Sequence, residues 1–402
     1  MNADTLLRLS RRLDRMEESA TIQMAQMARD LAAEGHEVIS LSLGEPDFDT
    51  PDHIKEAAKK ALDEGYTKYT PVPGLVELRE AIVEKFKRDN DLHFDINQIV
   101  VSNGAKQSLA NVFLALLDPG DEVVILSPYW VSYSEIVKIA EGVPVPVYAG
   151  IEQDYKVSAE QIEAAISGRT KALLFSSPCN PTGSVYTQDE LEGIAEVVSR
   201  YSQVHIIADE IYEYINFTGR HASIGTIDSV RERTVTVNGF SKGFAMTGWR
   251  LGYMGAPLPI AKACNKIQGQ FTSGATAFGQ KAAAYALQSD LGPTHTMREA
   301  FLQRRDLMIE HLSRIPGLKV NKPMGAFYIF PDVSAYFGKS AGNHRIENAD
   351  DLCAYVLQEG HVAMVTGRAF GAPDCVRLSY AASEAQLMEA ANRLKRVLGK
   401  LG

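Results

Sequence analysis

"TVTVNGFSKGFAMTGWRLGY" occupies residues 234–253 and opens on a β-branched run, Thr234 to Val237. The run then breaks into glycines around a single primary amine, Lys242, with Arg250 just beyond. Runs of the same texture recur from Ile99 onward: "IVVS" (99–102), "EVVILS" (122–127), "KALLFSS" (171–177), "HIIADE" (205–210) and "RLGYMGA" (250–256). Each is short and apolar on both parities, and amphipathic segments separate them. That pattern predicts strands buried on both faces of a mostly parallel sheet, hence an α/β fold.

The intervening helices are legible too. After "IVVSNGAK", the apolar residues Leu109, Val112, Phe113, Leu116 and Leu117 fall on one helical face, and "DPG" ends the segment. Nearer the start, Met24, Met27, Ala28 and Leu31 make a similar stripe, expected to be core, closed by Gly35. Beyond about Leu291 the texture changes to a long charged helix, a few strands ("GAFYIFPD", "VAMVTG", "CVRLSYA") and a terminal helix, which reads as a smaller α+β unit.

The bulk properties narrow the function. At 402 residues the chain suits two domains, and 45% hydrophobic with 23% charged residues describes an ordinary folded protein. A net charge of -9 argues against nucleic acid or a membrane surface as partner. Four scattered cysteines without a C-x-x-C pair suggest neither a disulfide framework nor a metal site, and a reducing compartment suits them. With no secretory h-region and no membrane-length apolar stretch, a cytoplasmic protein is expected.

Polar groups cluster where the strands end: Asn180 in "SSPCNPTG", Asp209 and Tyr212 in "ADEIY", Ser241 and Lys242 in "GFSK". In open α/β sheets those ends form the ligand crevice. Taken singly, each has a plainer reading: "NPTG" is a competent turn, Asp-Glu a helix cap, and a lysine after a strand is usually solvated. Together they suit pyridoxal 5′-phosphate, which needs an amine for its aldehyde, an anion beside its ring nitrogen and donors for its phenolate oxygen. Lys242, Asp209, and the pair Tyr212 and Asn180 match those needs. "SNGAKQS" joins a strand to a helix, so the N–H groups of Gly104, Ala105 and Lys106 form an anion site that Ser241 and Arg250 complete. Trp130, in "LSPYWVSY", is a candidate to stack on the ring or a plain core tryptophan.

At these residues the chain resembles the class I and II aminotransferases of the fold-type I, pyridoxal-phosphate-dependent superfamily. "SKGFAMTGWRLGY" is similar to the family's lysine signature, and "SLSLGEPDFDTP", "YTKYTPVPGLVELREAI", "SSPCNPTG", "DEIY", "GAFYIFPD" and "RLSYAAS" follow in the family's order. The resemblance implies a large domain over 49–290 with a mostly parallel seven-stranded sheet. It also implies a smaller domain from 1–48 and 291–402. It makes Arg377 the clamp for a substrate α-carboxylate, assisted by the Gly44 backbone, with Trp130 and Asn180 beside the substrate. Tyr69 corresponds to a tyrosine reaching the phosphate of a partner subunit, which implies a homodimer with shared sites; Thr272 and Ser273 lie in a region of similar role. Two departures stand out: Thr366 replaces a common proline and Arg368 a common small residue in "MVTGRAFG", leaving the loop's conformation open.

The implied reaction is ping-pong transamination. The incoming amino acid displaces Lys242, whose freed amine then acts as general base on the Cα proton. "LSRRLDRMEESAT", "GEPDFDTP" and "GAKQSL" are most similar to bacterial aspartate aminotransferases, in which the lysine matching Lys106 contacts the distal carboxylate. The expected reaction moves the amino group of L-aspartate to 2-oxoglutarate. Prephenate, aromatic amino acids or alanine as substrates, a carbon-sulfur lyase, and an aminotransferase-like regulator are the alternatives. Arg11 and Arg12 are candidates to line the entrance.

Overall fold

The computed structural model describes residues 9, 10 and 12–402. In chain order its strands are β1 (Ile39–Ser40), β2 (Ile99–Ser102), β3 (Glu122–Ser127), β4 (Val143–Tyr148), β5 (Thr170–Ser176), β6 (His205–Asp209) and β7 (Thr234–Gly239). There follow β8 (Gly252–Gly255), β9 (Tyr328–Ile329), β10 (Ser340–Ala341), β11 (His344–Arg345), β12 (Val362–Ala363), β13 (Val365–Thr366) and β14 (Val376–Ser379).

Seven of them make one sheet in the order β2-β8-β7-β6-β5-β3-β4. Its pairs are parallel except those of β8, which runs antiparallel to both β2 and β7. The apolar-on-both-parities runs are explained by what covers the two faces. Val123 and Ile125 point into a cluster with Leu109, Val112 and Phe113, whereas Val124 and Leu126 point into another with Leu191, Ile194 and Val198. A strand whose alternate side chains meet different helix layers is apolar on both parities along most of its length.

Within this sheet one strand was not among the runs read from the sequence, and outside it the two-residue strands β1, β10 and β11 were not either. β4, "VPVPVY", carries two prolines that cannot donate to a ladder, and it pairs only with β3 at the sheet edge with its faces half exposed.

A second core lies apart from this sheet. Helices Ala20–Ala33, Gly292–Leu312, Ala349–Gly360 and Glu384–Leu398 pack with β9, β12 and β14, burying Phe301, Leu352 and Leu387 completely. Met24 and Ala28 enter this core, but Met27 does not: it sits at the edge of its stripe and is 46% exposed. The short sheet β13-β14-β9 places Arg377 and Tyr328 on the cavity that the residues at the carboxyl ends of β5, β6 and β7 also line.

Candidate active site

Asp209 is the last residue of β6, and its carboxylate is buried. Tyr133 donates its hydroxyl to Oδ2 at 2.7 Å and the Ile211 N–H reaches Oδ1 at 3.2 Å. Burial raises its pKa from 3.8 to about 6, and the two donors restrain that rise. Lys242 follows β7 by three residues, and its Nζ donates to the Gly44 carbonyl. Burial lowers its pKa from 10.5 to about 8, partly offset by Glu45. The cavity thus holds an amine poised near neutrality and a carboxylate that asks for a cationic partner.

The anion end forms where β2 turns into helix Ala105–Leu116. Gly104, the N-cap, adopts φ +84°, and a Cβ there would lie 2.5 Å from Arg250 Nη2. Its own N–H is spent on the Ser102 carbonyl at 2.8 Å, so Gly104 contributes shape, and Ala105 and Lys106 are the helix-start residues that line the cavity. Arg250 is braced by the Thr247 carbonyl at 3.0 Å and the Asn103 carbonyl at 3.4 Å, with Ser241 on the same wall.

The opposite wall is built around Arg377, which is 2% exposed. Its guanidinium donates to Asn180 Oδ1 at 2.9 Å and to the Ser42 carbonyl at 2.7 Å, both neutral acceptors, while Nε has no hydrogen-bond partner. Trp130 stands edge-on to Tyr133, and Lys106 Nζ lies 4.8 Å from the Trp130 ring centroid. Burial and the neighbouring Arg250 lower the Lys106 pKa.

Lys242, Asp209, Tyr212, Asn180, Ser241, Arg250, Ala105, Lys106, Trp130, Gly44 and Arg377 therefore line one cavity of about 320 Å³. Other expected residues lie elsewhere. Tyr69 is 96% exposed in a separate groove beside Thr276 and Phe278. Thr272 accepts from Gln107 Nε2 at 2.7 Å, and neither it nor Ser273 lines the cavity. Arg12 faces Glu141 at 3.7 Å rather than the cavity, and Arg11 lies outside the described residues. The departures at 366 and 368 leave the loop ordered by its own bonds: Thr366 Oγ1 caps the Arg368 N–H and Arg368 Nε pairs with Asp350 at 2.8 Å.

Tyr133, Tyr328 and Ser176 also line the cavity and were not foreseen. Only Tyr133 left a sequence signal, standing one helical turn beyond Trp130.

The family model described as "Aminotransferase class I and II" matches residues 36–394. The chain belongs to the class I and II aminotransferases. Among its relatives, an aspartate/prephenate aminotransferase of Cereibacter sphaeroides is 46% identical over 96% of this chain and 98% of its own. An aspartate aminotransferase of Geobacillus stearothermophilus is 44% identical over 98% and 99%. The crystal structure of the aspartate aminotransferase of Rhizobium meliloti superposes with a TM-score of 0.96 at 41% identity, covering 98% of this chain and all of that one.

Aminotransferases of this class are pyridoxal-phosphate enzymes, and the cavity fits that cofactor. A buried carboxylate with a raised pKa suits a protonated ring nitrogen, the helix start with Arg250 suits a phosphate, and Lys242 is the amine on the cavity floor. The buried Ser176 Oγ has no hydrogen-bond partner among the protein groups around it, so the pocket holds polar capacity beyond its internal bonds.

Proposed function

We propose that this aminotransferase moves the amino group of L-aspartate to 2-oxoglutarate, giving oxaloacetate and L-glutamate, in two half-reactions at the cavity around Lys242. One observation carries the choice of substrate. Lys106 holds its ammonium over the Trp130 face on the same cavity that Arg377 lines, so two cations are available for the two carboxylates of a C4 or C5 dicarboxylate.

Pyridoxal phosphate, when bound, supplies an aldehyde that accepts the amino group and a ring that draws electrons from Cα. Lys242 would anchor it; Asp209, held by Tyr133, would keep the ring nitrogen protonated; Tyr212 and Asn180 would donate to the phenolate oxygen. The Ala105 and Lys106 backbone N–H groups, with Ser241 and Arg250, would hold the phosphate, and Gly104 would give the approach, leaving the Lys106 ammonium for the substrate. Arg377 binds the α-carboxylate beside Gly44. Lys242 Nζ would take the proton from the substrate Cα, a role that its lowered pKa suits near neutral pH.

Two features of organisation belong to this reading. Residues 49–290 form the cofactor-holding domain and 1–48 with 291–402 the one that carries Arg377. The working unit is a cytoplasmic homodimer, supported by the exposed Tyr69 and by free cysteines; among the described residues no helix is long and apolar enough to cross a membrane.

Prephenate is a second reading, favoured by the name of the Cereibacter sphaeroides relative and by the same pair of cations, since prephenate also carries two carboxylates. Both are tested by mixing the loaded enzyme with L-aspartate, L-alanine or L-phenylalanine and following the cofactor's absorbance. Aspartate at low concentration is expected to change the spectrum and alanine far less. Lys106→Ala is expected to raise KM for aspartate by about tenfold or more and to leave KM for alanine within about twofold, the loss of one charge-assisted contact. Equal losses for both substrates would remove Lys106 from the distal-carboxylate role. L-Glutamate with prephenate as acceptor decides the second reading.

A further inference from the structure

Tyr328 touches both halves of the site. It lies in β9, is fully buried and lines the cavity. Its hydroxyl is 2.7 Å from that of Tyr212, and the Arg377 guanidinium carbon sits 4.5 Å from its ring centroid. A Cβ on Gly44 would come within 2.9 Å of the Tyr328 oxygen, so the hydroxyl also packs against the backbone whose carbonyl accepts from Lys242.

Two phenols in contact share one hydrogen between them, and the direction of sharing decides what the other hydrogen does. If Tyr212 donated to Tyr328, its hydrogen would point away from the cofactor oxygen. Burial raises the pKa of both phenols, Tyr212 well above its ordinary value, but Arg377, stacked on the Tyr328 ring, stabilises negative charge on that phenol and makes it the better donor. Hydrogen bonds in series also strengthen one another.

We propose that Tyr328 is a positioning residue that donates its hydroxyl hydrogen to Tyr212 while its ring backs Arg377, coupling the donor that faces the cofactor to the arginine that binds the substrate carboxylate. This rests on the roles given above to Tyr212 and Arg377. In the bound enzyme the Tyr328 hydrogen bond turns the Tyr212 hydrogen toward the phenolate oxygen. The ring limits the Arg377 side chain to the plane in which Asn180 and the Ser42 carbonyl hold it. The titratable groups facing the two phenols are Asp209, Lys242, Glu45 and Arg377.

Two variants separate the two contacts. Tyr328→Phe removes the hydroxyl and keeps the ring; Tyr328→Leu removes both. With pyridoxal phosphate bound, the pH midpoint of the cofactor's absorbance change is expected to rise by about half to one pH unit in Tyr328→Phe, because a weakened donor stabilises the anionic oxygen less. KM for aspartate is expected to stay within about twofold of the parent in Tyr328→Phe and to rise about tenfold or more in Tyr328→Leu. Melting of both cofactor-free proteins checks the fold, and should the leucine variant not fold, the midpoint in Tyr328→Phe decides alone. An unmoved midpoint overturns the coupling, and so does a lowered one, which would make Tyr328 the acceptor. Equal KM changes in the two variants overturn the role of the ring. A parent protein that shows no bound-cofactor absorbance overturns the reading beneath, a result distinct from all of these.

Discussion

Asp209 and Lys242 carry charges that their own fold penalises. Lys242 titrates near 8 instead of 10.5, so between those values the folded chain binds fewer protons than the unfolded one and stability rises with pH. At neutral pH its charge costs about 3 kcal/mol. Asp209 titrates near 6 instead of 3.8, so the folded chain binds more protons in that window and stability falls as pH rises through it. The ionised carboxylate costs about 3 kcal/mol above that window. Both costs are what a site prepared for a cofactor stores. Cofactor-free Lys242→Met and Asp209→Asn proteins are therefore each expected to melt above the cofactor-free parent at pH 7, by no more than the one penalty that each relieves. Turnover is expected to fall by about 10²–10⁴ or more in each. Calorimetry checks the first part, and a Lys242→Met protein that melts below its parent would refute it. Residues such as these were legible because each sits where a buried run stops and carries a group no core needs. Tyr328 was not: in "GAFYIF" every residue is apolar or aromatic, and only the pairing of β9 with β14 decides which ring meets Arg377.

At the scale of elements, the anion end depends on how closely β8 passes the start of helix Ala105–Leu116. A Cβ on Gly252 would lie 2.2 Å from the Ala105 nitrogen and 2.5 Å from the Gly104 carbonyl carbon, both backbone atoms that cannot swing aside. Gly252→Ala is expected to push the helix start outward. The expected loss is about 1–3 kcal/mol of stability, as for overpacking of a close-packed contact, with pyridoxal-phosphate affinity lowered about tenfold or more. Equilibrium dialysis against pyridoxal phosphate measures the second effect, and unchanged affinity would show that this helix start does not hold the phosphate. The sequence located this junction, because a strand, a glycine and an amphipathic helix follow one another at 99–117. It could not locate the neighbour, since β8 is distant in the chain and reaches β2 only through antiparallel pairing. The edge strand β4 escaped for the opposite reason: its prolines and half-exposed faces erase the apolar signature that marked the interior strands.

At the scale of the whole molecule, the role proposed for Tyr69 lies in a partner's site rather than in its own subunit's cavity. Tyr69 is 96% exposed, outside the cavity, in a groove that also holds Leu62, 45% exposed, and Phe278. Large apolar side chains gathered in this way mark an interaction surface. In a two-fold dimer the same patch meets itself, so a residue beside one cavity's rim can serve the other. If Tyr69 completes the partner's phosphate site, its loss and the loss of Lys242 damage different sites in a hybrid dimer. A Tyr69→Ala chain contributes an intact Lys242, and the Lys242→Ala chain contributes an intact Tyr69 to that same site. One cavity of the hybrid is then whole and the other doubly damaged. Equal amounts of the two variants, unfolded together and refolded, give hybrids as half of the dimers. The mixture is expected to recover about a quarter of the parent's activity at cofactor concentrations that fill only undamaged sites. Activity equal to the plain average of the two variant homodimers would mean that each subunit builds its site alone. Recovery without cofactor-dependence would mean that Tyr69 supports the interface and not the phosphate.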